Sequence, residues 1–177
     1  INNWAEAYHG IQIGSELGDF AFGNWWTPSG WMYNSHLYNG TFRVATGQTF
    51  DGVSTSASAA ILDGGDNSIN YSNSIGGLSI MAAIGDAGTT SNADATEVYV
   101  AYAGDAGDMG FRIHAGMAGA GDSTGQAGDE QDNSEYGISV NSGPIGVRMS
   151  RSEQTTTDAT DAESAKVEAN EYSITYA

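Results

Sequence analysis

The residues best equipped for bond-making chemistry are too few and too scattered to assemble a site. The three histidines, His9, His36 and His114, stand far apart, and none has a second ligand at zinc-motif spacing. There is no cysteine, which removes disulfides, thiolate metal sites and thiol nucleophiles. No nucleophile elbow is expected in a chain patterned as strands, because that motif joins a strand to a helix. The segments Gly104-Asp105-Ala106-Gly107-Asp108 and Gly121-Asp122-Ser123 miss the ligand spacing of calcium loops. An enzyme is therefore not expected, nor a specific metal site.

What remains is fixed charge. Twenty-two carboxylates face five basic residues, a formal charge of −17 over 177 residues. Nucleic acid is excluded, because phosphate neutralisation needs a clustered Lys/Arg surface. Many carboxylates fall between the patterned segments: Asp86, Asp94, Asp122, Asp129, Glu130, Asp132, Glu153, Asp158, Asp161 and Glu163. Loosely bound calcium or magnesium would suit such oxygen-rich loops, and these ions could bridge to lipopolysaccharide. Simple solvation of loops explains the same residues.

The elements that must position these charges are strands. Apolar residues recur at every second place, whereas a helix would space them by three and four. Leu78, Ile80, Ala82 and Ile84 oppose Ser79, Met81 and Ala83, and Val98, Val100 and Tyr102 oppose Glu97, Tyr99 and Ala101. Phe111, Ile113, Ala115 and Met117 oppose Arg112, His114 and Gly116. The same alternation runs through Tyr136 to Val140, Ile145 to Ser150 and Tyr172 to Tyr176. Upstream, Ile69 and Tyr71 alternate with Ser68 and Asn70, and Trp4 to Ile13 and Asp19 to Asn24 complete a count of nine strands. Short Gly/Asp/Asn/Pro connections at Gly14 to Gly18, Asn73 to Gly77, Gly104 to Asp108 and Asn141 to Pro144 alternate with long ones. The long ones run Trp25 to Gly65, Asp86 to Ala95, Gly121 to Asn133 and Ser152 to Ala165. That is an up-and-down antiparallel meander whose two edges differ. No apolar run approaches the roughly 18 residues of a membrane-spanning helix.

Two all-β architectures share this pattern. A β-sandwich, as in a secreted adhesin or surface-layer domain, packs its apolar face against a second sheet. A transmembrane β-barrel turns that face to lipid, surrounds water with the other, and places aromatics at the interfaces. The second face here is rich in Gly, Ser, Asn and Thr with a single lysine in the whole chain, which suits a lumen. Tyr102, Tyr136, Tyr172 and Tyr176 suit the aromatic girdles of a barrel.

Specific motifs sharpen the choice. Ala7-Tyr8-His9-Gly10-Ile11-Gln12-Ile13-Gly14 followed by Leu17-Gly18-Asp19-Phe20-Ala21-Phe22-Gly23-Asn24-Trp25-Trp26-Thr27-Pro28 resembles the strand, turn and strand before the constriction loop of trimeric Gram-negative general porins. Asp66-Asn67-Ser68-Ile69-Asn70-Tyr71 with Gly76-Gly77-Leu78 resembles the strand that resumes the barrel after that loop. The specific likeness covers about half the chain, and the rest agrees in strand length and loop alternation.

The resemblance implies a single barrel domain over 1–177, the central part of a 16-stranded barrel with flanking strands at both ends. It implies that 25–65 folds inward as the constriction loop, carrying Asp51, Asp63 and Arg43 toward the lumen, with Arg112 and Arg148 on the wall. The chain departs from the family where Asn24 and Asp66 stand at places that often hold arginine. With carboxylates in excess, the expectation is a passive, weakly cation-selective outer-membrane channel for ions and small hydrophilic solutes, assembled as a homotrimer.

Overall fold

The computed structural model describes residues 9–24, 49–50, 53–54, 68–86, 94–121, 130–158, 160 and 163–176. They form β1 (His9–Ser15), β2 (Gly18–Asn24), β3 (Thr49–Phe50), β4 (Val53–Ser54), β5 (Ser68–Ile75) and β6 (Leu78–Asp86). There follow β7 (Asp94–Ala106), β8 (Met109–Gly121), β9 (Glu130–Ser142), β10 (Ile145–Thr157) and β11 (Glu163–Tyr176). Nine strands make one antiparallel sheet in the order β1-β2-β5-β6-β7-β8-β9-β10-β11, and β3 pairs with β4 alone. The meander expected from the alternating connections is thus present, with β1 and β11 at the edges of the described sheet. Trp4, in the first expected strand, lies outside the described residues.

Four two-residue turns close one edge: Glu16-Leu17, Gly76-Gly77, Gly107-Asp108 and Gly143-Pro144. Gly76, Gly107 and Gly143 take φ of 59°, 65° and 54°, the positive values that tight hairpin turns require at their first central residue. The first two steps between hairpins are staggered. Asp19 pairs with Ser72, short of the end of β5 at Ile75, and Leu78 pairs with Tyr102, short of the end of β7 at Ala106. Such stagger is what tilts strands in a barrel wall.

The two faces are occupied in the opposite sense to a soluble protein. The buried side chains are polar or small: Ser68, Asn70, Glu97, His114, Asn133 and Ser152, with Ala83, Ala95, Tyr99 and Ala101. The exposed ones are large and apolar: Ile11, Phe22, Ile69, Val98, Ile113, Met117, Ile138, Met149 and Ile174 among them. One sheet produces this asymmetry when it curves, because side chains converge on the concave face and splay on the convex one. No second layer covers the apolar face among the described residues, so the β-sandwich alternative lacks the facing sheet it needs. Among the described residues, a small apolar cluster of Tyr99 and Ala101 with Met81 lies on the polar face. An apolar convex surface of this extent is stable where the surrounding solvent is hydrocarbon.

The strands run farther at the long-connection edge than their periodicity suggests. β8 reaches Gly121, β9 starts at Glu130, β10 ends at Thr157 and β11 starts at Glu163. Asp86, Asp94, Glu130, Asp132, Glu153 and Glu163 therefore belong to strands and not to loops. Backbone pairing extends the ladder through polar sequence there, which apolar alternation cannot register.

Candidate functional site

Register pairing gathers the charged side chains of the concave face into rows. Residues paired across strands point the same way, so each hydrogen-bonded row is a rung of the wall. One rung is Ala103, Arg112, Ser139, Arg148 and Ser173 across β7 to β11. Arg112 and Arg148 thus stand two strands apart at one level, about 10 Å from backbone to backbone at 4.8 Å per strand. Both are half-buried on the polar face, as alternation indicated.

The next two rungs toward the long-connection edge hold Ala101, His114, Gly137 and Ser150, then Tyr99, Gly116, Glu135 and Ser152. His114 Nε2 lies 3.3 Å from Glu135 Oε1, with the histidine side chain 2% exposed and the glutamate 15%. The Tyr99 ring sits 6.0 Å from the imidazole, tilted by 35°. Its hydroxyl hydrogen-bonds with Arg112 and lies in the field of Glu135 and Arg148. Beyond, Glu97 and Asn133 are buried on either side of Ala118. The cluster interleaves both charge signs on a wall of small residues, which suits water and ions rather than a closed apolar pocket.

At the other end of the sheet, Asp19 is accompanied on the concave face by uncharged polar residues. Ser68 Oγ donates to Gly23 O at 2.8 Å, and Asn70 Nδ2 donates to Ser68 Oγ at 2.8 Å, fastening β5 to β2. Asp51, Asp63 and Arg43 lie outside the described residues. Of the 25–65 segment, β3 and β4 are described, and β4 comes within 8 Å of β11, Cα to Cα. The strands that flank the segment, β2 and β5, lie far from β11 in the sheet order.

Apart from Tyr99, the aromatics of the main sheet's described residues lie on the convex face. Tyr102, Tyr136, Tyr172 and Tyr176 are all exposed there. Phe20 and Tyr71 pair directly across β2 and β5 with centroids 5.1 Å apart, and Tyr102 meets Phe111 at 6.0 Å.

The deciding geometry is a single antiparallel meander, oily and exposed on one face and hydrophilic on the other. A family model described as Gram-negative porin matches residues 3–177. The chain belongs to the Gram-negative porin family. No curated protein and no solved structure matches it. The Gram-negative porin family is one of outer-membrane channels rather than enzymes, and the polar face of this porin carries Arg112, Arg148, Tyr99, His114 and Glu135.

Sequence periodicity placed Arg112 and Arg148 on the right face, but it did not single out Glu135, Asn133 or Glu97. The β8–β9 connection is long, so no turn fixes which residue of β9 faces His114, and the His114–Glu135 pair follows only from the observed register. A second group escaped for the same reason. On the convex face beyond Met149 and Tyr172, Arg151 Nη2 meets Glu168 Oε2 at 2.8 Å. Lys166 Nζ meets Glu153 Oε1 at 3.1 Å and Glu168 Oε1 at 3.2 Å. These ion pairs mark where the outer surface of the porin changes from apolar to charged.

Proposed function

We propose that this porin passes ions and small hydrophilic solutes passively, with a weak preference for cations, and works as a homotrimer. The observation that carries the selectivity is the charge count of the concave face. Asp19, Asp105, Glu97 and Glu135 project there against Arg112 and Arg148 among the described residues. Fixed charges at a low-dielectric wall act strongly on passing ions, so an excess of carboxylates favours cations. The approach of β4 to β11 supports an inward course for 25–65, which would bring Asp51, Asp63 and Arg43 to the same lumen. The tyrosines Tyr102, Tyr136, Tyr172 and Tyr176 are read as interface anchors, with lipopolysaccharide and loosely held divalent ions outside. The trimer rests on the family.

Reversal potentials of the intact protein in a salt gradient test the selectivity. A cation preference is expected, strengthened in Arg112→Gln and Arg148→Gln and weakened in Glu97→Gln. A clear anion preference in the unmodified protein overturns the assignment. Mass measurement of the detergent-solubilised protein tests the trimer, which a stable monomer would refute.

A further inference from the structure

Three side chains of the concave wall lie over the glycine opposite them in register. A Cβ at Gly110 would meet Asn141 Nδ2 at 2.8 Å, one at Gly146 would meet Thr175 Oγ1 at 2.5 Å, and one at Gly137 would meet His114 Cε1 at 2.6 Å. In all three cases the covering residue is the glycine's own cross-strand partner. Gly110 and Gly146 adjoin the hairpin turns, whereas Gly137 lies well inside its strand. The ring over Gly137 is also the bulkiest of the three covers.

We propose that Gly137 is a positioning residue for conduction: it gives the His114 imidazole a seat against the wall, and so sets the free width of the bore at that level. The proposal rests on the channel reading above. His114 has a buried side chain although it points toward the aqueous face, as a ring lying along the wall over Gly137 would. Glu135 at 3.3 Å and the Tyr99 ring at 6.0 Å hold it down from one side. The space beneath is bounded by Ser150 Cβ and Met149 O, 2.9 and 2.7 Å from where a Gly137 Cβ would be. A methyl group there has no room under the ring. Met149 O belongs to the ladder and shifts only with its strand, whether or not the ring is present, whereas the imidazole can yield by rotating, and its way out is into the bore.

The test is single-channel conductance of the intact protein in planar bilayers, for Gly137→Ala, His114→Ala and the double variant. Gly137→Ala is expected to lose conductance relative to the unmodified protein, and to cost a smaller fraction of it when introduced into His114→Ala, where no ring is left to displace. Wild-type conductance in Gly137→Ala overturns the proposal, as does an equal fractional loss in the two backgrounds, which would indicate distortion of the strands instead. Absence of conductance in the unmodified protein would fail the channel reading itself. A second measurement does not depend on that reading or on Gly137→Ala folding. The sequence has no cysteine, so His114→Cys and Ser139→Cys can each be labelled cleanly by a bulky water-soluble thiol reagent. Slower labelling at 114 than at 139 is expected, and equal or faster labelling refutes the seat.

Discussion

The inside-out arrangement of faces is most directly tested by placing one charge on each side of the same wall. Ile113 is exposed on the convex face of β8, midway along an outward row that runs from Met109 to Met117. Four residues separate it from either end, about 14 Å along the strand at 3.4 Å per residue. With a barrel-like tilt of roughly 40°, that is about 10 Å of depth on each side, so Ile113 sits near the middle of an apolar band about 25 Å tall. An arginine at such a depth costs about 2–4 kcal/mol, against ~0–1 near the interfaces. At ~1.4 kcal/mol per decade, Ile113→Arg should weaken the folding equilibrium by at least tenfold. Ser150 lies one rung away on the concave face, where Ser150→Arg meets water and should change stability little. Met109→Arg, at the end of the outward row, should fall between them. Reversible urea unfolding of the protein in lipid vesicles reads all three. If Ser150→Arg proves as costly as Ile113→Arg, or if Ile113→Arg is harmless, the faces have been assigned wrongly.

Other consequences are equally specific. Gly18 has a φ of 121°, and a Cβ there would lie 2.8 Å from Ser72 O and 2.6 Å from Tyr71 Cε2, so Gly18→Ala should lower the unfolding free energy by about 1–3 kcal/mol. Gly76 at 59° has nothing within 4 Å of such an atom, and Gly76→Ala should show only the left-handed backbone cost of about 1–2 kcal/mol in the same urea titration. On the charged part of β11, the hydrogen bond from Lys166 and the charge of Arg151 hold Glu168 below the ordinary carboxylate value of 4.5. A depressed carboxylate contributes stability that is present above its unfolded value and disappears as pH falls through its lower folded one. The difference in urea midpoint between the unmodified protein and Glu168→Gln should therefore persist at neutral pH and vanish only in acid below 4.5. Lys166 is raised above 10.5 by hydrogen bonds to Glu153 and Glu168, so its share is complete at neutral pH and is lost only as alkali carries pH above that value. A nuclear magnetic resonance titration of the Glu168 side chain that gave an ordinary or raised value would contradict both.

Most of the architecture was legible because membrane strands obey a rule of two. Where Phe111, Ile113, Ala115 and Met117 alternate with Arg112, His114 and Gly116, local sequence fixes both the element and its faces. Where the ladder continues through Glu130 to Asn133 and Ser152 to Thr157, polar residues occupy both faces and the alternation has no contrast to display. Backbone hydrogen bonding alone sustains those extensions. The wall cluster was harder for a different reason. The Gly107-Asp108 turn fixes Arg112 against β7, but nothing local fixes β9 against β8, and a one-residue slip would have sent Glu135 to the convex face. Asp51, Asp63 and Arg43 came from family likeness, not from periodicity, and they lie outside the described residues.

Spreading the oily side chains over every second position also governs how such a polypeptide meets a bilayer before it folds. The chain has a mean hydropathy of −0.32, and no helix among its described residues is long and apolar enough to cross a membrane. Alternation leaves none of these strands with a continuous greasy run of about 20 residues, the length of a helix that bilayer hydrocarbon holds by itself. Only when neighbouring strands align do the alternate residues merge into one lipophilic skin. Affinity for the final membrane is thus a property of the assembled wall and is hidden until then.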